Sequence, residues 1–322
     1  MERPIIKIIL ITLFSLMVGV IESNEEVSNF GIVIHGGAGS FSGLDENAIN
    51  SYETGIVEAL SAGYKVLEQG GSSLDAVTTA IVILEDLPLF NAGKGSVYTE
   101  METQEMDSSI MDGESGKGGA VAGVSKVKNP VLLARMVMDK TEHVMLIGSG
   151  AEKFAEEIGI ELVDPSYFYS EKNLKRVRKS KADEKLGTVG AAALDQSGNL
   201  AAATSTGGRT NKMTGRVGDS PILGAGTWAQ NGLCAVSGTG HGEYFMRLLT
   251  AADVCKLMEY SNLSLEESTQ IAVNKLTVKG AEGGIISIDS DGNISAQFNT
   301  KGMARGYQTN QLPRTIKIYK DD

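Results

Sequence analysis

The stretch that most constrains this chain covers residues 187–195, Gly-Thr-Val-Gly-Ala-Ala-Ala-Leu-Asp. Just before it, residues 171–187 hold seven Lys or Arg against three acids, with two leucines and no apolar periodicity. That composition predicts a polar linker over residues 164–187 that does not pack. The character then changes at once. Val189 opens a run of small apolar residues, Gln196-Ser197-Gly198-Asn199 is turn chemistry, and residues 200–206 are apolar again, which predicts a β-hairpin. A threonine therefore opens a buried strand directly behind a cuttable tail. If the bond between Gly187 and Thr188 were broken, the Thr188 hydroxyl would sit within reach of its own α-amine. With a pKa of roughly 8, that amine is a base near neutral pH, so one residue would supply both nucleophile and base.

The length of 322 residues fits one large domain or two ordinary ones, and 39 glycines against 6 prolines imply many left-handed or close-approach backbone positions. Net charge is −11, which argues against nucleic acid or an anionic membrane surface as a partner. Residues 1–23 place Arg3 and Lys7 before an uncharged run over residues 8–21. That pattern suits a secretory signal, with an uncleaved N-terminal anchor as the alternative, and it predicts a secreted or periplasmic protein. No membrane contact is expected beyond that segment. Cys234 and Cys255 are isolated in apolar surroundings, and of the two readings, a disulfide or buried free thiols, composition favours the thiols.

Along the chain, residues 29–40 read as a short strand running into a glycine-rich turn, His35-Gly36-Gly37-Ala38-Gly39. Ile49, Tyr52, Ile56, Leu60, Gly63 and Leu67 recur at helical spacing, and Gly70-Gly71 stops the pattern. Ser72 and Asp75 start a second helix over residues 74–84, which Pro88 ends before an irregular loop. Strands are predicted at 106–113 and 118–124, and short helices at 130–138 and 151–158. The second half adds strands at 188–194, 199–206 and 233–237, helices at 244–259 and 265–279, and closing strands at 284–289 and 294–298. This order predicts an α+β fold with a sheet-on-sheet core covered by helices on both outer faces.

Several chemistries lack their residues. The three histidines, His35, His143 and His241, have no metal-ligand spacing, and the chain contains no C-x-x-C, G-x-S-x-G or Walker pattern. What remains lies after position 187. Arg216 and Asp219 sit three residues apart in a glycine-flanked loop. They are either a surface ion pair worth at most about 1 kcal/mol or a clamp for a zwitterion, guanidinium on carboxylate and carboxylate on ammonium. Thr239-Gly240 offers a hydroxyl and an unhindered N–H, the parts of an oxyanion hole or of an ordinary turn.

These motifs together resemble the plant-type asparaginase and isoaspartyl peptidase (β-aspartyl-peptidase) group of threonine N-terminal nucleophile (Ntn) hydrolases. The resemblance rests on His35-Gly36-Gly37-Ala38-Gly39, Phe90-Asn91-Ala92-Gly93-x-Gly95, Ile110-Met111-Asp112-Gly113, Gly187-Thr188-Val189-Gly190, Ser205-Thr206-Gly207-Gly208, Gly215-Arg216-Val217-Gly218-Asp219-Ser220 and Thr239-Gly240-His241-Gly242-Glu243. It implies a four-layer αββα sandwich that cuts itself between Gly187 and Thr188. The products would be an α subunit of residues 24–187 and a β subunit of residues 188–322, together forming one domain and pairing as a dimer of αβ heterodimers. Thr188 looks like the nucleophile, Thr206 like the hydroxyl that orients it, and Asn91 like a further positioning group. Arg216 and Asp219 would hold the α-carboxylate and α-amino group of the substrate, with Gly242 lining that pocket and Thr239 and Gly240 forming the oxyanion hole. Backbone carbonyls of Leu84, Glu85, Leu87, Phe90, Ala92 and Lys94 match a structural loop for sodium or potassium, and no cofactor is implied for catalysis.

The implied activity is hydrolysis of L-asparagine and β-aspartyl dipeptides to aspartate through an acyl-enzyme on Thr188. Self-cleavage would use the same hydroxyl, helped by local strain at Gly187. Two other readings stand beside this one, a glycosylasparaginase-like hydrolase and a non-catalytic, secreted aspartate-binding protein on the same fold.

Overall fold

The computed structural model describes residues 28–179 and 187–320. Two helices follow the first strand, β1 (Gly31–Gly39): α1 (Glu46–Glu68) and α2 (Ser73–Asp86). Each starts on a side-chain cap, Asp45 accepting from the Ala48 N–H and Ser72 from the Asp75 N–H. Next come β2 (Met106–Asp112), β3 (Gly118–Val124), α3 (Pro130–Lys140), β4 (Met145–Ile147), α4 (Gly148–Glu157) and α5 (Glu171–Lys179). The second half holds β5 (Val189–Leu194), β6 (Leu200–Thr206), β7 (Thr227–Gln230), β8 (Cys234–Gly240), α6 (Gly242–Leu248), α7 (Thr250–Ser261), α8 (Leu265–Val278), β9 (Gly283–Asp289), β10 (Ile294–Phe298), β11 (Gly302–Thr309) and β12 (Thr315–Tyr319).

These elements form four layers. An eight-stranded sheet, in the order β12-β11-β1-β5-β6-β2-β3-β4, faces a four-stranded sheet, β10-β9-β8-β7. Helices α1 to α4 cover the outer face of the large sheet, and α7 and α8 cover the small one. Three apolar clusters fill the gaps. Ile32, Leu60, Ile81 and Phe90 lie under the first helices, Val33, Leu200, Ile286 and Met303 lie between the sheets, and Val236, Val254, Leu276 and Ile285 lie under α7 and α8. The predicted sandwich is the observed fold.

The predicted hairpin is β5 and β6, antiparallel, with Ala191, Ala192 and Ala193 opposite Ala203, Ala202 and Ala201. Asp195 closes its turn by accepting from the N–H groups of Ser197 and Asn199, and its other oxygen accepts from the Ser73 N–H at the start of α2. The carboxylate thus ties the far end of the Thr188 strand to the helix layer.

The structure corrects several expectations. Residues 165–168 form a 3₁₀ turn that buries Phe168, and α5 buries Asn173, whose amide donates to the Gly95 carbonyl at 3.0 Å. The described part of the predicted linker is therefore anchored at Phe168 and Asn173. It escaped notice because one buried Asn and ion pairs such as Glu171–Lys175 hold α5, not an apolar stripe. Residues 180–186 and 1–27 lie outside the described residues, and so does the predicted N-terminal signal. The glycine-rich turn after residue 34 is instead strand, with a register irregularity between His35 and Ala38. The helix predicted over 244–259 breaks at Leu249, which takes a left-handed conformation. Strands β4, β7, β11 and β12 were not foreseen. In β11 the buried Arg305 guanidinium donates to the carbonyls of Met303 and Tyr319 and lies over Phe298, so polar residues stand where apolar ones would signal a strand. Among the described residues no helix is long and apolar enough to cross a membrane.

The free-thiol expectation is also overturned, since Cys234 in β8 and Cys255 in α7 are joined by a disulfide. Spacing of 21 residues carried no hint that α7 folds back onto β8, with the two Cα atoms 5.6 Å apart. A loop of that length is worth about 3 kcal/mol. Thiol titration of denatured, unreduced protein should find no free cysteine, and reductant should lower the Tm by roughly 5–10 °C.

Candidate active site

Strand register assembles the site at one end of the large sheet. The β5–β6 pairing sets Val189 opposite Ser205, which brings Thr188 beside Thr206, and the Thr188 Oγ1 donates to the Thr206 Oγ1 at 3.1 Å. The Thr206 Oγ1 also accepts from the Gly208 N–H at 2.9 Å, so its own proton is free to turn toward a neighbour. Both threonines are more than nine-tenths buried. They line a cavity of about 180 Å³ whose other walls include Arg216, Asp219, Thr239, Gly240, His241 and Gly187.

Gly187 has φ +64° and packs face to face with Gly37, φ +106°. A Cβ on Gly37 would lie 2.5 Å from the Gly187 Cα, and one on Gly187 would lie 2.2 Å from the Gly37 Cα. Glycine enters that φ region freely, and the close packing against Gly37 leaves room for no other residue at 187. The glycine-rich end of β1 thus seats the residue before Thr188, a contact that local sequence does not encode.

Arg216 and Asp219 both reach the cavity, but not as a surface ion pair. Arg216 pairs with Glu243, whose Oε1 accepts from Nε at 3.0 Å and from Nη2 at 2.8 Å. Glu243 closes the Thr239–Glu243 motif, where nothing local marks it as the partner of Arg216. A carboxylate held at one edge of the guanidinium fixes the fork and leaves the Nη1 side against Gly208 and Gly218, which also line the cavity. Asp219 is buried with its Oδ2 unpartnered, and burial raises its pKa to about 7, against the opposing charge of Arg216. Gly242 abuts both clamp side chains, because a Cβ there would lie 2.5 Å from the Asp219 Oδ1 and 3.1 Å from the Arg216 Nη2.

Thr239 and Gly240 end β8 on the opposite wall. The Thr239 Oγ1 accepts from the Ala38 N–H at 3.4 Å, and Gly240, φ +144°, sits so close to Glu282 and Gly283 that a Cβ would overlap their backbones. His241, adjoining them, is oriented by accepting from the Glu282 N–H at its Nδ1. Asn91 also lies outside the cavity. Its amide donates to the Gly208 carbonyl at 2.6 Å, its side-chain oxygen accepts from the Val97 N–H at 2.9 Å, and its carbonyl accepts from the Gly207 N–H. It holds the Thr206–Gly208 turn and reaches Thr188 only through it.

The loop from Leu84 to Lys94 folds tightly against this assembly. The Phe90 ring fills the space a side chain would need at Gly36 and Gly55. Gly93 is pressed against the Glu85 carbonyl, and Gly95 against the carbonyls of Phe90 and Pro88. The Lys94 ammonium lies over the Tyr167 ring, leaving its carbonyl for the loop. The Glu85 side chain is buried, with Oε1 accepting from the Ser205 hydroxyl and the Val131 N–H and Oε2 unpartnered. Burial pushes its pKa up to about 8.

An αββα sandwich with a threonine opening one central strand defines the chain as an Ntn hydrolase. A family model described as Asparaginase matches residues 28–318, and the chain belongs to that family. It is 49% identical over 310 residues to an isoaspartyl peptidase of Escherichia coli (strain K12), covering 90% of this chain and 96% of the relative. It is 43% identical over 320 residues to a putative isoaspartyl peptidase/L-asparaginase of Dictyostelium discoideum, covering 86% and 92%. To the isoaspartyl peptidase/L-asparaginase of Homo sapiens it is 43% identical over 284 residues, covering 84% and 91%.

Glu85 yields a prediction about stability. Its folded pKa of about 8 exceeds the ordinary 4.5, so between those values the folded state holds a proton that the unfolded state has lost. Stability must then fall as pH rises through that window, by roughly 1 kcal/mol per pH unit. Denaturant titrations at pH 5, 6, 7 and 8 should show this decline in wild type and a flatter profile in Glu85→Gln.

Proposed function

We propose that this chain is a self-cleaving threonine amidohydrolase that releases L-aspartate from β-aspartyl (isoaspartyl) dipeptides and L-asparagine. The observation that carries the reading is the pair of hydroxyls, Thr188 and Thr206, 3.1 Å apart in a cavity walled by Arg216 and Asp219. The names and high coverage of the relatives support the same substrates.

Both substrates present a free α-carboxylate, a free α-ammonium and an amide at the β-carbonyl, so one clamp serves both. Arg216 takes the carboxylate and Asp219 the ammonium, which leaves the β-carbonyl facing Thr188. The Thr188 hydroxyl attacks after giving its proton to the α-amine freed by cleavage. The Thr239 hydroxyl and the Gly240 N–H receive the oxyanion, and the leaving amine takes the proton back. Water, deprotonated by the same amine, hydrolyses the acyl-enzyme to aspartate. Self-cleavage uses the Thr188 hydroxyl on the Gly187 carbonyl, an N-to-O acyl shift followed by hydrolysis.

The backbone carbonyls of Leu84, Glu85, Leu87, Phe90, Ala92 and Lys94 would hold a sodium or potassium ion, which would stiffen that loop and take no part in the chemistry. Family membership supports assembly as a dimer of αβ heterodimers. The Cys234–Cys255 disulfide supports maturation in an oxidising compartment, in line with export. The relatives' names favour isoaspartyl peptides and asparagine over glycosyl-asparagine, and the intact Thr188–Thr206 hydroxyl pair disfavours a purely binding role.

Intact mass of purified protein should reveal two fragments meeting at Gly187/Thr188. Thr188→Ala should stay one chain and lose activity on the order of a thousandfold or more; a stable, single wild-type chain would overturn the mechanism. Asp219 sets a further expectation. Only its ionised form pairs with an ammonium, so the Kd for L-aspartate, followed by calorimetry, should rise as pH falls through about 7, approaching tenfold per pH unit below that.

A further inference from the structure

The two proposed substrates share an aspartyl half and differ in what leaves. L-Asparagine loses ammonia, whereas a β-aspartyl dipeptide loses an amino acid whose own carboxylate lies three bonds past the scissile carbonyl carbon, roughly 4 Å away. The Arg216–Asp219 clamp, taken up by the α-carboxylate and α-ammonium, has no partner for that second carboxylate. It must come to rest in the same cavity or at its mouth, so the remaining charges on the cavity wall decide how well it is received.

Among the described residues that line the cavity, the arginines are Arg209 and Arg216 and the acids are Asp219 and Glu282. Glu282 is exposed and belongs to the oxyanion wall, with its carbonyl against Gly240 and its N–H donating to the His241 Nδ1 at 3.1 Å. A carboxylate placed there meets repulsion. Arg209 follows the turn that bears Thr206, where the Gly208 N–H donates to the Thr206 Oγ1 at 2.9 Å and Thr206 lies 3.1 Å from the Thr188 hydroxyl. Its backbone is fixed from both sides, because the Gly208 carbonyl accepts from the Asn91 amide at 2.6 Å and the Arg209 carbonyl from the Lys212 N–H at 3.1 Å. Its side chain is not buried to match. It is 42% exposed, against 16% for Arg216, and its Nη1 approaches the Glu243 Oε2 only to 3.7 Å, beyond hydrogen-bond range. Both hydrogen bonds from Arg216 go to the other oxygen of Glu243. Charge thus keeps Arg209 beside the clamp, while its half-exposed guanidinium can still give an arriving carboxylate a two-point contact.

We propose that Arg209 is a specificity-determining residue that binds the carboxylate of the leaving amino acid, and so favours β-aspartyl dipeptides with a free C-terminus over L-asparagine. The inference rests on the proposed hydrolase function and names its preferred substrate class.

The test is steady-state kinetics on purified protein with three substrates: β-Asp-Leu, the same dipeptide as its C-terminal amide, and L-asparagine. Wild type should favour the free acid over the amide about tenfold in kcat/KM. Arg209→Met, similar in length but uncharged, should erase that preference and lower the ratio of kcat/KM for β-Asp-Leu to that for L-asparagine by about tenfold. Arg209→Lys keeps the charge without the planar fork and should fall between the two. Equal losses on all three substrates would make Arg209 a structural residue and overturn the proposal. A wild type that treats acid and amide alike overturns it without recourse to any variant. In either case turnover of L-asparagine by wild type persists, whereas failure of the hydrolase reading abolishes turnover of all three.

Discussion

The whole site depends on a backbone contact between two glycines. Gly37 of β1 and Gly187 touch at a separation no side chain permits, and that contact sets where Thr188 begins its strand. From there the ladder of β5 and β6 carries the position forward, placing Thr188 against Thr206 and the alanines of the two strands opposite one another. Small residues let the helix layer and the second sheet both come close to this hairpin, so the strand after Thr188 is buried on two faces while Thr188 opens into a cavity.

The groups around Thr188 are held in a graded way. Arg216 is fixed by Glu243 and Asp219 is backed by Gly242, while Asn91 braces the turn that carries Thr206. None of these supports occupies cavity space. The Leu84–Lys94 loop belongs to the same scheme, because the Phe90 ring fills the gaps left by Gly36 and Gly55 and so presses the glycine-rich end of β1 toward Gly187. Geometry at Thr188 is therefore distributed over α1, α2 and β1 as well as over the strands that bear the hydroxyls.

Much of this was legible in the sequence, for identifiable reasons. The β5–β6 hairpin declared itself through small apolar runs about a polar turn, and α1 through its apolar spacing and terminal glycines. Thr188, Thr206, Arg216, Asp219, Thr239 and Gly240 stood in short motifs, and the fold brings all six to one cavity. What stayed hidden depends on distant partners. The Cys234–Cys255 bridge, the burial of Asn173 and the strand around Arg305 each rest on a contact that local composition does not encode. The same holds for Gly37 and Glu243, visible as motif letters whose roles appear only once Gly187 and Arg216 lie beside them.

The charge pattern of the clamp has a further consequence. Arg209 and Arg216 face Glu243 and Asp219, two positive groups against two negative ones, so the clamp itself is close to neutral once Asp219 ionises. The chain as a whole carries −11. A zwitterion such as asparagine enters with no net charge, and the protein's long-range field neither draws it in nor turns it away. Aspartate leaves with one negative charge more than asparagine brought. The surrounding field therefore acts on the two ends of the reaction differently, indifferent to arrival and expelling what has been made, and added salt would weaken only the second effect.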